Sequence, residues 1–359
     1  MVKEFYKNFK VRDYMENEGK VESILDCSLG TNPFIEEKDI KKYISKATCI
    51  INEYPVNRYN ELKDVIVDIW NKNTDANINA KNISFGAGSM GILRNLSEFL
   101  IDSDTYILGC APQFPRFISE VELKKGIYEY YSFNKELNYK FVVDEFLEMI
   151  DKKYSLIHID NPNNPTGQII DIKDIEKIVE KAKKYDITVL IDEAYGDYME
   201  FKNSAITLVS KYDNLVVLRS ASKFYGLPNH RVGYLVASEE FLKVYNMITI
   251  PFPFSDFSCN VFTMILKDYK KYQKIRQQVI DANKEIYNAI GKENFLYTNI
   301  ETPIFTLKSD KYDNLTEKIM KHGIVTESCN NFFELDEHYS RIRIPKENDY
   351  LIKVLTKIL

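Results

Sequence analysis

Residues Ile187-Thr188-Val189-Leu190-Ile191 form a run with no charged position, and the run stops on Asp192. Such a strand has no face to give to water, so it reads as fully buried and needs helices to cover it. The neighbouring sequence supplies them. Asp171 to Tyr185 carries Ile172, Ile175, Ile178, Val179 and Ala182 at helical spacing. Upstream, Tyr154-Ser155-Leu156-Ile157-His158-Ile159 reads as a strand ended by the turn cluster Asn161-Pro162-Asn163-Asn164-Pro165-Thr166-Gly167. Downstream lie Leu215-Val216-Val217-Leu218 and the strand Val232 to Val236. Strands alternating with amphipathic helices predict an α/β domain. The C-terminal third mixes a long polar helix, about Leu266 to Ile290, with short strands at Ile304 to Leu307 and Arg341 to Ile344, which predicts a smaller α+β domain. The expected division is a large domain over residues 46–255 and a small one built from 1–45 with 256–359.

Ligands of α/β sheets collect beyond the carboxyl ends of the strands. Asp192, Asn164 and Lys223 all stand at such places. Lys223 follows the run at 215–218, behind the hydroxyls of Ser220 and Ser222 and ahead of Arg231. An amine at the end of a buried strand loses hydration, which lowers its pKa and frees it for Schiff-base chemistry. Ser220, Ser222 and Arg231 are the donors a phosphate needs. Gly86-Ala87-Gly88-Ser89-Met90-Gly91 reads as a turn opening a helix, with backbone N–H groups aimed at an anion. An amine beside an anion site predicts pyridoxal phosphate as cofactor.

Net charge is -5 and no Lys/Arg block stands apart from acids, which argues against a nucleic-acid partner. No apolar run reaches the length of a membrane span, and Met1-Val2-Lys3-Glu4-Phe5-Tyr6 lacks a signal-peptide core. Cys27, Cys49, Cys110, Cys259 and Cys329 are odd in number and form no CxxC pair, so neither a disulfide framework nor a metal site is expected. A reduced cytoplasm is the expected location.

Taken in order, Asn164-Pro165-Thr166-Gly167, Asp192-Glu193-Ala194-Tyr195, Ser222-Lys223 and Arg231 resemble the motifs of the fold-type I, class I/II aminotransferases. Within that family the chain is similar to the group holding histidinol-phosphate aminotransferase and threonine-phosphate decarboxylase, from about Leu25 to the C-terminus. The resemblance implies an aspartate aminotransferase-like large domain with a mixed, mostly parallel sheet. It implies that Lys223 carries the cofactor and shuttles the Cα proton, that Asp192 pairs with the pyridine nitrogen, and that Asn164 and Tyr195 hold the ring oxygen. Phe114 matches the aromatic that stacks on the ring. Gly88, Ser89, Met90, Ser220, Ser222 and Arg231 match the phosphate site, and Tyr54 a tyrosine reaching the neighbouring subunit's phosphate, which implies a homodimer. Arg341 matches the arginine that grips the substrate carboxylate, with Asn32 and Glu327 also placed at substrate.

Two departures stand out. Glu327 falls where both phosphate-substrate enzymes carry an arginine, and a carboxylate there repels a phosphate. Tyr14-Met15-Glu16-Asn17-Glu18-Gly19 replaces the decarboxylases' His-Gly-Gly. Glu327 is read either as a receptor for a cationic side chain or as a solvent-facing residue. Arg341 and Arg343 are expected on one strand face, and Arg341 is favoured because Leu335-Asp336-Glu337-His338-Tyr339-Ser340-Arg341 resembles a decarboxylase segment. The expected activity is amino transfer between an L-amino acid and a 2-oxo acid through Lys223. Decarboxylation, or oxidation or cyclisation of a basic amino acid, are the alternatives.

Overall fold

The computed structural model describes residues 4–12, 23–49, 51–55 and 59–359. Its strands are β1 (Leu25–Asp26), β2 (Ile83–Ala87), β3 (Tyr106–Ala111), β4 (Ile127–Ser132), β5 (Tyr154–Asp160), β6 (Thr188–Glu193), β7 (Leu215–Ser220), β8 (Val232–Val236), β9 (Ile304–Lys308), β10 (Ile324–Val325), β11 (Glu327–Ser328) and β12 (Tyr339–Arg343). Seven of them form one sheet in the order β2-β8-β7-β6-β5-β3-β4. β8 runs antiparallel to both its neighbours, and every other pair is parallel. The sheet is therefore mixed and mostly parallel, as expected.

The uncharged strands are explained by what covers them. Alternate residues of a strand point to opposite faces. Val189, Ile191 and Val217 pack into one apolar cluster with Ile175, Ile178 and Val179 of the helix Ile172–Lys183. Leu190, Val216 and Leu218 pack into another with Ile92, Leu93 and Leu96 of the helix Gly88–Leu100. Both faces are filled, so neither can be polar. The helix Ile172–Lys183 begins where Asp171 accepts from the Lys173 N–H, which satisfies one of the free donors of the first turn.

The polar helix starts later than its pattern suggests. It spans Tyr269–Ile290, and Leu266 belongs to a separate helix, Asp256–Lys267. The break is at Asp268, whose φ of -93° and ψ of 16° leave the helical range. The turn read at 86–91 also resolves differently, because Gly86 and Ala87 finish β2 and the helix opens at Gly88. A second, antiparallel sheet has the order β11-β12-β9 and sets Glu327 opposite Arg341. β1 pairs with β10 in parallel.

A buried charge network braces the end of the main sheet. Arg219 on β7 is 1% exposed, and it meets Glu193 at 2.7 Å and Asp197 at 2.8 Å. Its guanidinium lies 5.1 Å from the centre of the Trp70 ring. Among the described residues no helix is long and apolar enough to cross a membrane.

Candidate active site

The carboxyl ends of β5, β6 and β7 open into a cavity of about 500 Å³. Its lining includes Ser89, Met90, Phe114, Asn164, Asp192, Tyr195, Ser222, Lys223, Arg231 and Arg341, which six different parts of the chain bring together. Lys223 Nζ lies 5.5 Å from the centre of the Tyr195 ring. Gly30 closes over both: a Cβ there would fall 1.7 Å from the Tyr195 hydroxyl and 3.4 Å from Lys223 Nζ. Only glycine lets the backbone pass this closely.

Asp192 is the penultimate residue of β6, with Oδ1 accepting from the Ala194 N–H at 2.9 Å. Burial raises its carboxyl to about 7. The Tyr195 phenol is raised to about 12, also by burial, and its hydroxyl makes no hydrogen bond among the described residues. Asn164 is held from the other side, its Oδ1 accepting from Arg341 Nη1 at 3.0 Å. Arg341 also donates to the Ser28 carbonyl, and its Nη2 lies 3.7 Å from Glu327 Oε2. Arg343 turns elsewhere, donating to the Asp26 and Ile344 carbonyls. Arg341 lines the cavity and Arg343 does not.

The anion end is built by two chain segments pressed together. Gly88 takes φ of +69°, and its N–H donates to the Arg231 carbonyl at 2.8 Å. The helix Gly88–Leu100 starts there, so free N–H groups at Ser89 and Met90 face the cavity that Arg231 and Ser222 also line.

Four expected site residues lie behind the cavity wall. The Ser220 hydroxyl accepts from the Ser222 N–H at 3.2 Å, and so shapes the turn. Gly88 shapes the turn on the opposite side. Asn32 Nδ2 donates to the Phe224 carbonyl at 2.7 Å, while its own N–H donates to the Lys223 carbonyl at 3.2 Å, so it braces the lysine segment. Glu327 is buried against Arg341 and does not face solvent. Tyr54 is 77% exposed and stacks on Phe252 at 5.4 Å, away from this chain's own cavity. The 14–19 segment lies outside the described residues. His230 contacts Ser258 and Phe257, a structural place. Sequence reasoning missed Asp160 and Gly30. Asp160 carried a signal, since it ends an apolar run as Asp192 does; Gly30 carried none.

The model of the aminotransferase class I and II family matches residues 27–355. The chain belongs to this family. It is 27% identical over 351 residues to a histidinol-phosphate aminotransferase of Methanococcus aeolicus, covering 94% of this chain and 91% of that one. Among solved structures it superposes on histidinol-phosphate aminotransferase from Sinorhizobium meliloti in complex with pyridoxal-5'-phosphate, with a TM-score of 0.82, 16% identity, and 99% and 97% of the two chains covered. L-threonine-O-3-phosphate decarboxylase from Porphyromonas gingivalis superposes with a TM-score of 0.75 at 19% identity, covering 93% and 99%. The activity is amino-group transfer and the cofactor is pyridoxal phosphate. The cavity fits that group: a buried carboxyl, a phenol with no partner among the described residues and a helix N-terminus stand around an amine.

Proposed function

We propose that the chain moves an amino group between an L-amino acid and a 2-oxo acid, with Lys223 as the amine that carries the cofactor and moves the Cα proton. When bound, pyridoxal phosphate supplies an electron sink for the bond broken at Cα. The residues do the rest. Asp192 holds a proton at the ring nitrogen. The Tyr195 hydroxyl and the Asn164 amide donate to the ring oxygen, and Phe114 covers one face of the ring. The Ser89 and Met90 N–H groups, the Ser222 hydroxyl and the Arg231 guanidinium take the phosphate, while Gly88 and Ser220 set the backbone that presents them. Arg341 grips the substrate carboxylate as a planar fork. Asn164 and Glu327 orient that fork, and Asn32 steadies the Lys223 turn from behind.

The observation that carries this reading is the Tyr195 hydroxyl, buried in the cavity beside Lys223 with no hydrogen-bond partner among the described residues. Reduction of the loaded enzyme with borohydride, followed by peptide mass analysis, tests it. The cofactor mass is expected on the peptide holding Lys223; its appearance on another lysine refutes the assignment.

The working unit is read as a homodimer in which Tyr54 reaches the neighbouring phosphate. Ile51, Tyr54, Met247 and Ile250 are each at least 75% exposed, and Tyr54 stacks on Phe252 beside Ile250. Exposed apolar side chains grouped this way mark an interaction surface. The division into a large unit, 46–255, and a small one, 1–45 with 256–359, is kept as the frame for this reading. The five free cysteines, four of them buried, support a reduced cytoplasm as the location.

A further inference from the structure

The turn after β3 is stitched to the end of β5 and the turn that follows it. Gln113 Nε2 donates to the His158 carbonyl at 3.1 Å, and its Oε1 accepts from the Asp160 N–H at 3.1 Å. Asn163 Nδ2 donates to the Pro112 carbonyl at 3.0 Å. Between these bonds the Asp160 side chain makes its own. Its Oδ2 accepts from the Phe114 N–H at 2.9 Å, and the Asn164 N–H also donates to the carboxyl. Phe114 and Asn164 are the residues placed on the face of the cofactor ring and at its oxygen. One buried carboxyl, at the edge of the same cavity, thus ties the backbones of both.

An acceptor needs no charge, and the surroundings of Asp160 leave it none. Asp160 and Asp192 are register partners, and with a ring nitrogen of His158 their ligand atoms lie within 4.8 Å of one another. Two buried carboxyls this close do not readily ionise together. Burial raises both; the Ala194 N–H and Lys223 favour the charged form of Asp192, whose charge raises Asp160 further. His158 adds no countercharge, because burial lowers its pKa to about 3 and keeps the ring neutral. Its Nε2 lies 3.5 Å from Asp160 Oδ1, and neither atom has a hydrogen-bond partner among the described residues. Cys110 and Tyr128, raised well above their usual values by burial, stay neutral beside them. The proton of the pair rests on Asp160. Oδ2 is engaged as an acceptor, which leaves that proton to Oδ1.

We infer that Asp160 is a positioning residue whose carboxyl, as a hydrogen-bond acceptor, fixes Phe114 over the cofactor ring and Asn164 at the ring oxygen. The inference rests on the placement of those two residues at the ring. Phe114 stands directly before the helix Pro115–Leu123, and no side chain of its own caps that helix. Its N–H bond to Asp160 therefore sets where the chain leaves the sheet and where the aromatic ring lies. A misplacement of about 1 Å costs a positioned group much of its effect. Asn164 is held twice, by its N–H at Asp160 and by its side chain at Arg341.

The test compares wild type, Asp160→Asn, Asp160→Ala and Asn164→Ala. Ligand-free protein is titrated with pyridoxal phosphate by fluorescence, and the visible absorbance of the bound cofactor is followed against pH. Asp160→Asn keeps an oxygen for the Phe114 N–H and puts an NH2 group where the acid carries its proton. Its affinity is expected to stay within about twofold of wild type. Asp160→Ala removes the acceptor and leaves a buried N–H unpaired, so affinity is expected to fall about tenfold. Its absorbance midpoint is expected to shift in the same direction as that of Asn164→Ala, which a loss of stability alone does not produce. An affinity or a midpoint unchanged in Asp160→Ala overturns the inference. So does an Asp160→Asn variant that binds about tenfold more weakly than wild type, because charge rather than the acceptor would then be at work. An unmoved midpoint in Asn164→Ala overturns the placement of Asn164, and the inference with it. Should Asp160→Ala fail to fold, Asp160→Asn still decides, since the amide fills the same space.

Discussion

Gly88→Ala separates the backbone that shapes the anion site from the fold that carries it. Gly88 sits at φ +69°, a region that costs a residue with a Cβ about 1–2 kcal/mol. The new Cβ would lie 2.4 Å from Arg231 Nη2 and 2.9 Å from its Cζ. Ordinary contact begins near 3.4 Å, so the guanidinium has to move by about 1 Å. A charge-assisted hydrogen bond is worth about 1.5–3 kcal/mol, so losing one from Arg231 to the phosphate weakens cofactor binding about 10- to 100-fold. The backbone cost lowers the melting temperature of the ligand-free protein by only a few degrees. The assay pairs equilibrium titration with pyridoxal phosphate and thermal melting without it. A variant that melts a few degrees lower yet binds the cofactor with unchanged affinity refutes the reasoning, because Arg231 would then not be holding the phosphate.

Other perturbations probe the rest of the account. Arg219→Met leaves Glu193 and Asp197 buried without their cation and is expected to destabilise the fold by about 3–5 kcal/mol, measured by denaturant unfolding of the ligand-free protein. Met247→Asp with Ile250→Asp puts charge on two side chains at least 75% exposed, and is expected to yield monomers by light scattering with weaker cofactor binding, since Tyr54 would no longer reach a partner site. An unchanged dimer discards that surface. Glu327→Gln removes a carboxylate 3.7 Å from Arg341, and is expected to raise kcat/KM for donors with an anionic side chain by about fivefold relative to neutral donors.

The sheet was legible because its strands carry apolar residues on both faces, as at 187–191 and 215–218, and such strands have few other places to go. The cavity residues were legible where they end those strands. What escaped was set by contacts distant in sequence. Ser220 looked like a phosphate donor, but it lies behind the cavity wall, where its hydroxyl accepts from the Ser222 N–H. Asn32 looked like a substrate residue, but its amide is taken by the Phe224 carbonyl. Glu327 offered two readings, a cation receptor or a solvent-facing residue. Its pairing with Arg341 follows from the register of β11 on β12, which sequence spacing does not specify. The helix break at Asp268 was hidden because apolar spacing continues across it.

The central claim is that the chain transfers an amino group, and a single-turnover half-reaction tests it most directly. The pyridoxal phosphate form is mixed with one amino acid at a time, without any 2-oxo acid, and the products are weighed by mass spectrometry. The account predicts that a donor yields its 2-oxo acid in an amount equal to the enzyme, with the cofactor recovered as its amine. Release of carbon dioxide and an amine, with the cofactor unchanged, would contradict it.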